Sequence, residues 1–247
     1  MAPTIDIVRH AEAWHNISHS DVRDPGLTPN GEAQSYQLRD TYPFMDKVSH
    51  VVASPSRRAV ATALIAFDPA VTNRGKKAIL LPDLQETGAR PSDTGSPPKR
   101  LETLFGPHVD LSRLSERWYR RDPDSDYAPD VGKVEARARR ARLFLRRLAR
   151  QAPDDDDAHI VVVTHGGFLH FLTEDYGGLR AGRFASFANA QVKSYRFADL
   201  AGDEADGAPL VRALNERRSL LRQRRETAVK VIENAASEKM KCRVVIC

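Results

Sequence analysis

Two histidines directly follow short β-rich segments of the sequence, and each is flanked by residues that suit the same chemistry. Arg9 and His10 follow the run "IDIV" near the start of the chain, and His165 opens the motif "HGG" after "HIVVVT". A neutral imidazole can attack phosphorus and form a covalent intermediate. A guanidinium group binds phosphate bidentately and keeps its charge. Two histidines with an adjacent arginine therefore predict a site for phosphoryl transfer.

Two further β-rich segments are followed by residues that would complete such a site. Residues 48–53 lead to Arg57 and Arg58 at the start of a helical pattern, and residues 78–81 are followed by Glu86. Positive neighbours lower the pKa of a histidine and keep its ring neutral. The arginines and the second imidazole would stabilise charge on the transferring oxygens. A carboxylic acid such as Glu86 could protonate the leaving oxygen and later activate water.

The elements that carry these residues alternate along the chain. β-rich segments occupy residues 4–8, 48–53, 78–81 and 159–164, and helical patterns occupy residues 28–42, 56–67 and 135–151. This alternation predicts an α/β fold, a three-layer sandwich with a mostly parallel sheet and helices on both faces. Ligands bind such sheets outside the carboxyl ends of the strands. The four segment ends are therefore expected to converge on one crevice.

Two segments depart from this alternation. Residues from about 88 to 130 are rich in proline, aspartate and serine, and we expect an insertion that covers the sheet edge as a lid. A charged helical tail is expected over about 211–241. The length of 247 residues suits one large α/β domain that includes both segments, so residues 1–247 are interpreted as a single domain.

Taken together, the motifs resemble the histidine phosphatase superfamily, in its phosphoglycerate-mutase-like branch. Five segments occur in the family's order: "VRHAEAWHN" at 8–16, "DPGLTPNGEAQ" at 24–34, "SPSRRAVAT" at 54–62, "LQE" at 84–86 and "VVVTHGGFL" at 161–169. Each is weak alone, but the set is specific and spans roughly residues 4–197. The family usually has glycine where this chain has Ala11. The stretch "LQETGARPSDTGS" looks more like a fungal-type phosphatase subset than like the mutases.

The resemblance implies a role for each matched residue. His10 would be the phosphorylated nucleophile, His165 the second histidine of the pocket and Glu86 the general acid. The implied reaction is metal-independent hydrolysis of a phosphomonoester or related ester through a phosphohistidine, without a cofactor. The other predicted site residues are the phosphate ligands Arg9 and Arg58, and the substrate contacts Asn16, Arg57, Gly166, Asn189 and Asp93. Asp93 is also a rival or auxiliary acid.

Three alternatives stay open at this point. The first is a phosphomutase of the phosphoglycerate mutase type. The second is a non-catalytic protein that binds a phosphorylated ligand. The third is nucleic-acid binding through the basic run "ARARRARLFLRRLAR", although its aliphatic stripe favours an amphipathic helix with a basic solvent face. A metal site built from His10, His15 and His19 is disfavoured because no helical period surrounds them.

The composition narrows the classes of binding partner and the cellular location that we expect for the protein. The formal net charge is only +5, which suits a small phosphorylated substrate as well as nucleic acid, and we expect no nucleic-acid partner. Two cysteines, Cys242 and Cys247, suggest a reducing compartment. No signal peptide or membrane-spanning run is recognised, so a cytoplasmic location without a membrane partner is expected. A homodimer formed through the tail is left open. The predicted lid mixes basic and aromatic side chains, which hints at a substrate with anionic and apolar parts.

Overall fold

The computed structural model describes residues 2–18, 22–152, 157–176 and 187–213. In this part of the chain seven strands form one sheet, in the order β4-β3-β2-β5-β1-β6-β7. The strands are β1 Thr4–Arg9, β2 Val48–Ala53, β3 Ala78–Leu80, β4 Val109–Asp110, β5 His159–Thr164, β6 Val192–Phe197 and β7 Leu210–Arg212.

The sheet is mostly parallel, as predicted. β1 to β5 pair in parallel, whereas β6 and β7 add two antiparallel strands at one side. β5 lies between β1 and β2, and its register pairs Thr164 with Arg9 and Val163 with Ala53. The carboxyl ends of these three central strands therefore lie side by side at one edge, where the reactive residues follow them.

Six α-helices in the described residues connect the strands. They are α1 Trp14–Ile17, α2 Pro29–Thr41, α3 Arg57–Val71, α4 Pro98–Phe105, α5 Val131–Gln151 and α6 Gly166–Thr173. Side chains alternate across a strand, so neighbouring residues of β5 face opposite layers. Ile160 and Val162 belong to the apolar cluster that includes α5 and α6, whereas Val161 and Val163 belong to the cluster that includes α2 and α3. This confirms the three-layer α/β architecture.

Local signals explain where the helices begin and end. The Thr28 side chain accepts a hydrogen bond from the amide of Gly31, with proline at the first helical position of α2. α5 begins four residues before the predicted start, because the Asp130 side chain caps it by accepting from the amide of Lys133 at 3.0 Å. α3 continues past residue 67 because only Phe67 leaves helical geometry, and Pro69 then falls in the first turn of the resumed helix.

The insertion and the tail differ in part from the sequence interpretation. Within residues 88–130, β4 pairs with β3 and so extends the sheet, a strand that the sequence pattern did not reveal. Its function as a lid stays a prediction. Val211 and Arg212, assigned to the start of the helical tail, instead lie in β7, because they pair with Arg196 and Tyr195 of β6. Residues 1–212 form one compact unit, and the predicted tail beyond residue 213 lies outside the described residues.

None of the helices in the described ranges is long and apolar enough to cross a membrane. The cytoplasmic location stays a prediction.

Candidate active site

His10 directly follows β1, and its hydrogen bonds leave one ring nitrogen without a proton. The side chain is buried, and its backbone amide donates to the carbonyl of Thr164 at 2.9 Å. Nδ1 lies 2.7 Å from the carbonyl of Ala11, which can only accept, so Nδ1 carries the proton. Nε2 accepts a hydrogen bond from Nε of Arg58 at 3.3 Å. Nε2 is therefore the unprotonated nitrogen, with its lone pair on the side of the arginine.

The surroundings of His10 keep its ring neutral. Burial is the main cause that lowers the pKa of His10 well below its usual value, followed by the positive charge of Arg58. Arg9 and His15 act in the same direction, whereas the bond to the Ala11 carbonyl opposes them. A neutral imidazole keeps the lone pair that nucleophilic attack requires.

His165 stands beside His10 at the N-terminus of α6. The ring centroids of the two histidines are 5.1 Å apart. Nε2 of His165 is 2.8 Å from the hydroxyl of Ser54, which follows β2, and Nδ1 is buried without a hydrogen-bond partner among the described residues. Burial first, and then Arg58 and His10, lower the pKa of His165 well below its usual value. Three neighbouring strand ends thus bring together a pair of neutral imidazoles.

A third histidine, His15, also lies at the site and was assigned no role from the sequence. Its ring centroid is 5.5 Å from that of His10. Burial, and then the charges of Arg58 and Arg9, lower the pKa of His15 to about 3. Its Nε2 accepts from the side-chain amide of Asn16 at 3.3 Å, and the Asn16 oxygen accepts from the amide of Ala13 at 3.0 Å. Asn16 therefore holds His15 and the start of α1, and the motif "HN" was the available signal.

The two adjacent arginines point to different places. Arg58 is buried, contacts His10 and donates from Nη1 to the carbonyl of Ser92 at 2.6 Å. Arg57 instead contacts Asp24, through its backbone amide at 2.9 Å and through Nη1 at 3.4 Å. The structure thus places Arg58, and not Arg57, against the candidate nucleophile.

Arg9 is the last residue of β1, and Asn189 contacts the residue that follows it. Arg9 donates to the carbonyl of Phe187 at 2.8 Å, and burial lowers its pKa, whereas the charge of Glu86 opposes this. The Asn189 side chain donates to the backbone carbonyl of His10 at 2.9 Å. Asn189 therefore holds the backbone at His10, and its contact with a substrate stays a prediction.

The Glu86 carboxylate lies against the first turn of α6. Oε2 accepts from the amide of Gly167 at 3.1 Å, and Oε1 accepts from the amides of Phe168 at 2.9 Å and Thr87 at 2.8 Å. A Cβ at position 167 would lie 2.6 Å from Oε1, so only glycine permits this approach. The second glycine of "HGG" is explained by this contact, and Gly166 opens the helix beside it.

Asp93, which the sequence offered as a rival or auxiliary acid, also lies near Arg58. Its Oδ1 is 3.8 Å from Nη2 of Arg58. Burial first and the charge of Glu86 second raise its pKa, whereas Arg58 and Arg121 lower it. The site therefore contains two carboxyl groups in different environments.

Two arginines hold the segments that carry these carboxyl groups. Arg121 donates to the carbonyls of Glu86 at 3.2 Å and Asp93 at 2.6 Å. Arg137 donates to the carbonyls of Gln85 at 2.6 Å and Glu86 at 2.9 Å. Burial lowers the pKa of Arg121 to about 10 and that of Arg137 to about 9. Neither arginine was assigned a role, because nothing in the sequence shows which carbonyls they meet.

The basic solvent face expected for α5 is wrong for three of its arginines. Arg137, Arg142 and Arg146 are buried. Arg142 donates to the carbonyls of Gly207 and Phe171, both at 2.9 Å. Buried carbonyl groups need donors, and these arginines supply them.

The described residues contain no group of three or more histidine, cysteine, aspartate or glutamate side chains arranged to hold a metal ion.

The chain is similar in sequence to two curated proteins, which carry different names. The chain is 27% identical over 212 residues to a phosphoglycerate mutase-like protein of Arabidopsis thaliana, covering 70% of this chain and 74% of that protein. It is 28% identical over 167 residues to a protein of Schizosaccharomyces pombe named as a probable phosphatase, covering 66% and 74%.

Solved structures show the same fold. A mycobacterial glucosyl-3-phosphoglycerate phosphatase matches with a TM-score of 0.55 at 19% identity, covering 86% of this chain and 98% of that one. The ecdysone phosphate phosphatase of Bombix mori matches with a TM-score of 0.55 at 16% identity, covering 82% of this chain and 93% of that one.

The sequence model of the histidine phosphatase superfamily, branch 1, matches residues 5–204. The chain therefore belongs to the histidine phosphatase superfamily.

Proposed function

We propose that the protein is a phosphatase that hydrolyses a small phosphomonoester, or a related phosphate ester, through a phosphohistidine on His10. The observation that carries the proposal is the Nε2 atom of His10, unprotonated, 3.3 Å from the guanidinium of Arg58 and beside the ring of His165. Membership of the family and the phosphatase name of a relative support it.

The first step transfers the phosphoryl group to His10. Arg9, Arg58 and His165 would bind the phosphate oxygens and stabilise the charge that they gain. The lone pair of Nε2 forms the bond to phosphorus while the bond from phosphorus to the ester oxygen breaks. A carboxyl group donates its proton to the departing oxygen, a role that the sequence assigned to Glu86.

The second step returns the enzyme to its starting state. The carboxylate accepts a proton from a water molecule, whose oxygen attacks phosphorus, and the bond between phosphorus and Nε2 breaks. Inorganic phosphate leaves, and His10 regains its lone pair. These residues suffice for the cycle without a cofactor.

A phosphomutase is the second candidate, favoured by the mutase-like name of the Arabidopsis relative. It would pass the phosphoryl group from His10 to a second hydroxyl group instead of to water. Inorganic phosphate release in the absence of any added alcohol separates the two.

The test is release of p-nitrophenol and phosphate from p-nitrophenyl phosphate with EDTA present. We expect turnover by the native protein and none by His10→Ala. His108→Ala is the matched control, because His108 is exposed and should leave turnover unchanged. Acid-labile radioactive phosphate on the native protein after rapid quenching, absent from His10→Ala, would identify the intermediate. Turnover that persists in His10→Ala, or that EDTA removes, would contradict the proposal.

A further inference from the structure

We propose that Asp93, and not Glu86, is the acid that protonates the leaving oxygen. The inference rests on the proposed phosphatase reaction. It concerns which role each of the two carboxyl groups of the site has in that reaction. Glu86 would instead hold the N-terminus of α6 beside His165.

The carboxyl group of Glu86 already accepts hydrogen bonds from backbone amides. Three backbone amides donate to its two oxygens at 2.8 to 3.1 Å, two of them from the first turn of α6. Both oxygens of Glu86 are thus directed at backbone donors, and turning the side chain toward a leaving oxygen would break these hydrogen bonds.

The Asp93 carboxyl group is placed differently. Its nearest ion-pair atom, Nη2 of Arg58, is 3.8 Å away, which is longer than a hydrogen bond. The same guanidinium reaches Nε2 of His10 at 3.3 Å. An ester phosphate bound by Arg58 would therefore have the nucleophile near one end of the guanidinium and the Asp93 carboxyl group near the other.

The surroundings of Asp93 raise the pKa of its carboxyl group. Its side chain is only 12% exposed. The charged groups that face it are Glu86, Arg58 and Arg121. A hydrogen bond with the backbone of Arg90 lowers its pKa. Burial and the negative charge of Glu86 raise the pKa of Asp93 against the two arginines. A raised pKa favours the protonated form that a general acid needs.

Hydrogen bonds fix the position of the segment that carries Asp93, and so the direction of its side chain. Arg121 donates to the Asp93 carbonyl at 2.6 Å, and Arg58 donates to the carbonyl of Ser92 at 2.6 Å. The Ser96 hydroxyl donates to the buried carboxyl group of Asp24 at 2.7 Å. Gly88 packs so closely on the Asp93 carboxyl group that a Cβ would clash with it.

The proton balance is complete without another reactant. As the bond from Nε2 to phosphorus forms, the bond from phosphorus to the ester oxygen breaks, and the Asp93 proton goes to that oxygen to give the alcohol. The resulting carboxylate accepts a proton from the water molecule that then attacks phosphorus. The carboxyl group is restored as phosphate leaves.

The test compares two substrates that differ in their need for an acid. p-Nitrophenolate leaves readily without protonation, whereas the alkoxide of glycerol 2-phosphate does not. The quantity measured is kcat/KM, which reports the steps up to release of the alcohol. A general acid contributes about 10²- to 10⁴-fold, so Asp93→Asn should lower kcat/KM for glycerol 2-phosphate by about 100-fold or more. The loss for p-nitrophenyl phosphate should be far smaller.

Glu86→Gln is the matched variant, and it should lower kcat/KM for both substrates by a similar factor. The ratio of the two substrates is insensitive to partial misfolding, since an inactive fraction lowers both values equally. Asp93→Asn should also remove the decline of kcat/KM for glycerol 2-phosphate at high pH, which in the native protein follows loss of the Asp93 proton.

An unchanged substrate ratio in Asp93→Asn, or a selective loss in Glu86→Gln instead, would overturn the assignment while His10-dependent turnover persists. Activity that does not depend on His10 would overturn the proposed function itself, and the assignment of Asp93 with it.

Discussion

At the scale of single residues, the state of His10 is the feature on which the site depends. Nδ1 is bound to a backbone carbonyl, Nε2 faces Arg58, and burial and positive charge both oppose protonation. Arg58 therefore has two effects. It would bind the phosphate, and it helps to keep Nε2 of His10 free of a proton.

Replacing Arg58 should change both properties. In Arg58→Gln, kcat/KM for p-nitrophenyl phosphate should fall by about 10²- to 10³-fold because a buried donor to the transferring oxygens is lost. The pKa of His10 should rise, so the decline of kcat/KM at low pH should begin at a higher pH than in the native protein. Arg57→Gln is the control, since Arg57 contacts Asp24, and its kcat/KM and pH profile should stay close to native values. Equal losses in the two variants would contradict the geometry.

At the scale of elements, α5 supports the site because one of its arginines donates hydrogen bonds to backbone carbonyl groups of a neighbouring segment. Arg137 is fully buried and donates to the carbonyls of Asp83, Gln85 and Glu86, the segment that follows β3. Its guanidinium also lies 4.3 Å from the centroid of the Phe168 ring in α6. A helix on one face of the sheet thus holds the segment that carries one carboxyl group of the site.

Removing this anchor should lower stability and activity together. Arg137→Met keeps much of the volume but leaves buried carbonyl groups without donors, so the free energy of unfolding should fall by about 2 to 3 kcal/mol. Arg140→Met is the control, one turn along the same helix. Its side chain is 45% exposed and pairs with Asp83 at 2.7 Å, so the loss should stay below about 1 kcal/mol. Urea unfolding of the two variants measures both losses in the free energy of unfolding. Equal losses would show that Arg137 is not an anchor.

At the scale of the whole molecule, the sheet edge concentrates neutral histidines in a buried environment, and this couples stability to pH. The folded-state pKa values of His10, His15 and His165 all lie below the usual value of 6.5. Above that pH neither folded nor unfolded protein protonates these rings. Below it only the unfolded protein takes up protons, so acid favours unfolding.

The free energy of unfolding should therefore fall as the pH is lowered from 7 to 5, by up to about 1.4 kcal/mol per pH unit for each such histidine. His165→Gln cannot take up a proton, so its stability should depend less on pH over this range. His108→Gln, at an exposed position, should keep the native slope. Urea unfolding at pH 7, 6 and 5 measures the slopes. Native and His165→Gln slopes that coincide would contradict the coupling.

The sequence by itself determined the α/β class, the central strands and the residues that meet at their ends. Those features are local: β-branched runs, helix caps and short motifs at strand ends, combined with the rule that parallel strands end at one edge. Short edge strands such as β4 and β7 were missed because two or three residues carry too little periodicity.

Only the tertiary structure decided which of two adjacent arginines contacts His10, which carboxyl group is engaged by amides, and which arginines of α5 are buried. Each depends on which backbone donors and carbonyl groups another segment brings within hydrogen-bond distance. Residue type and spacing along the chain do not contain that information.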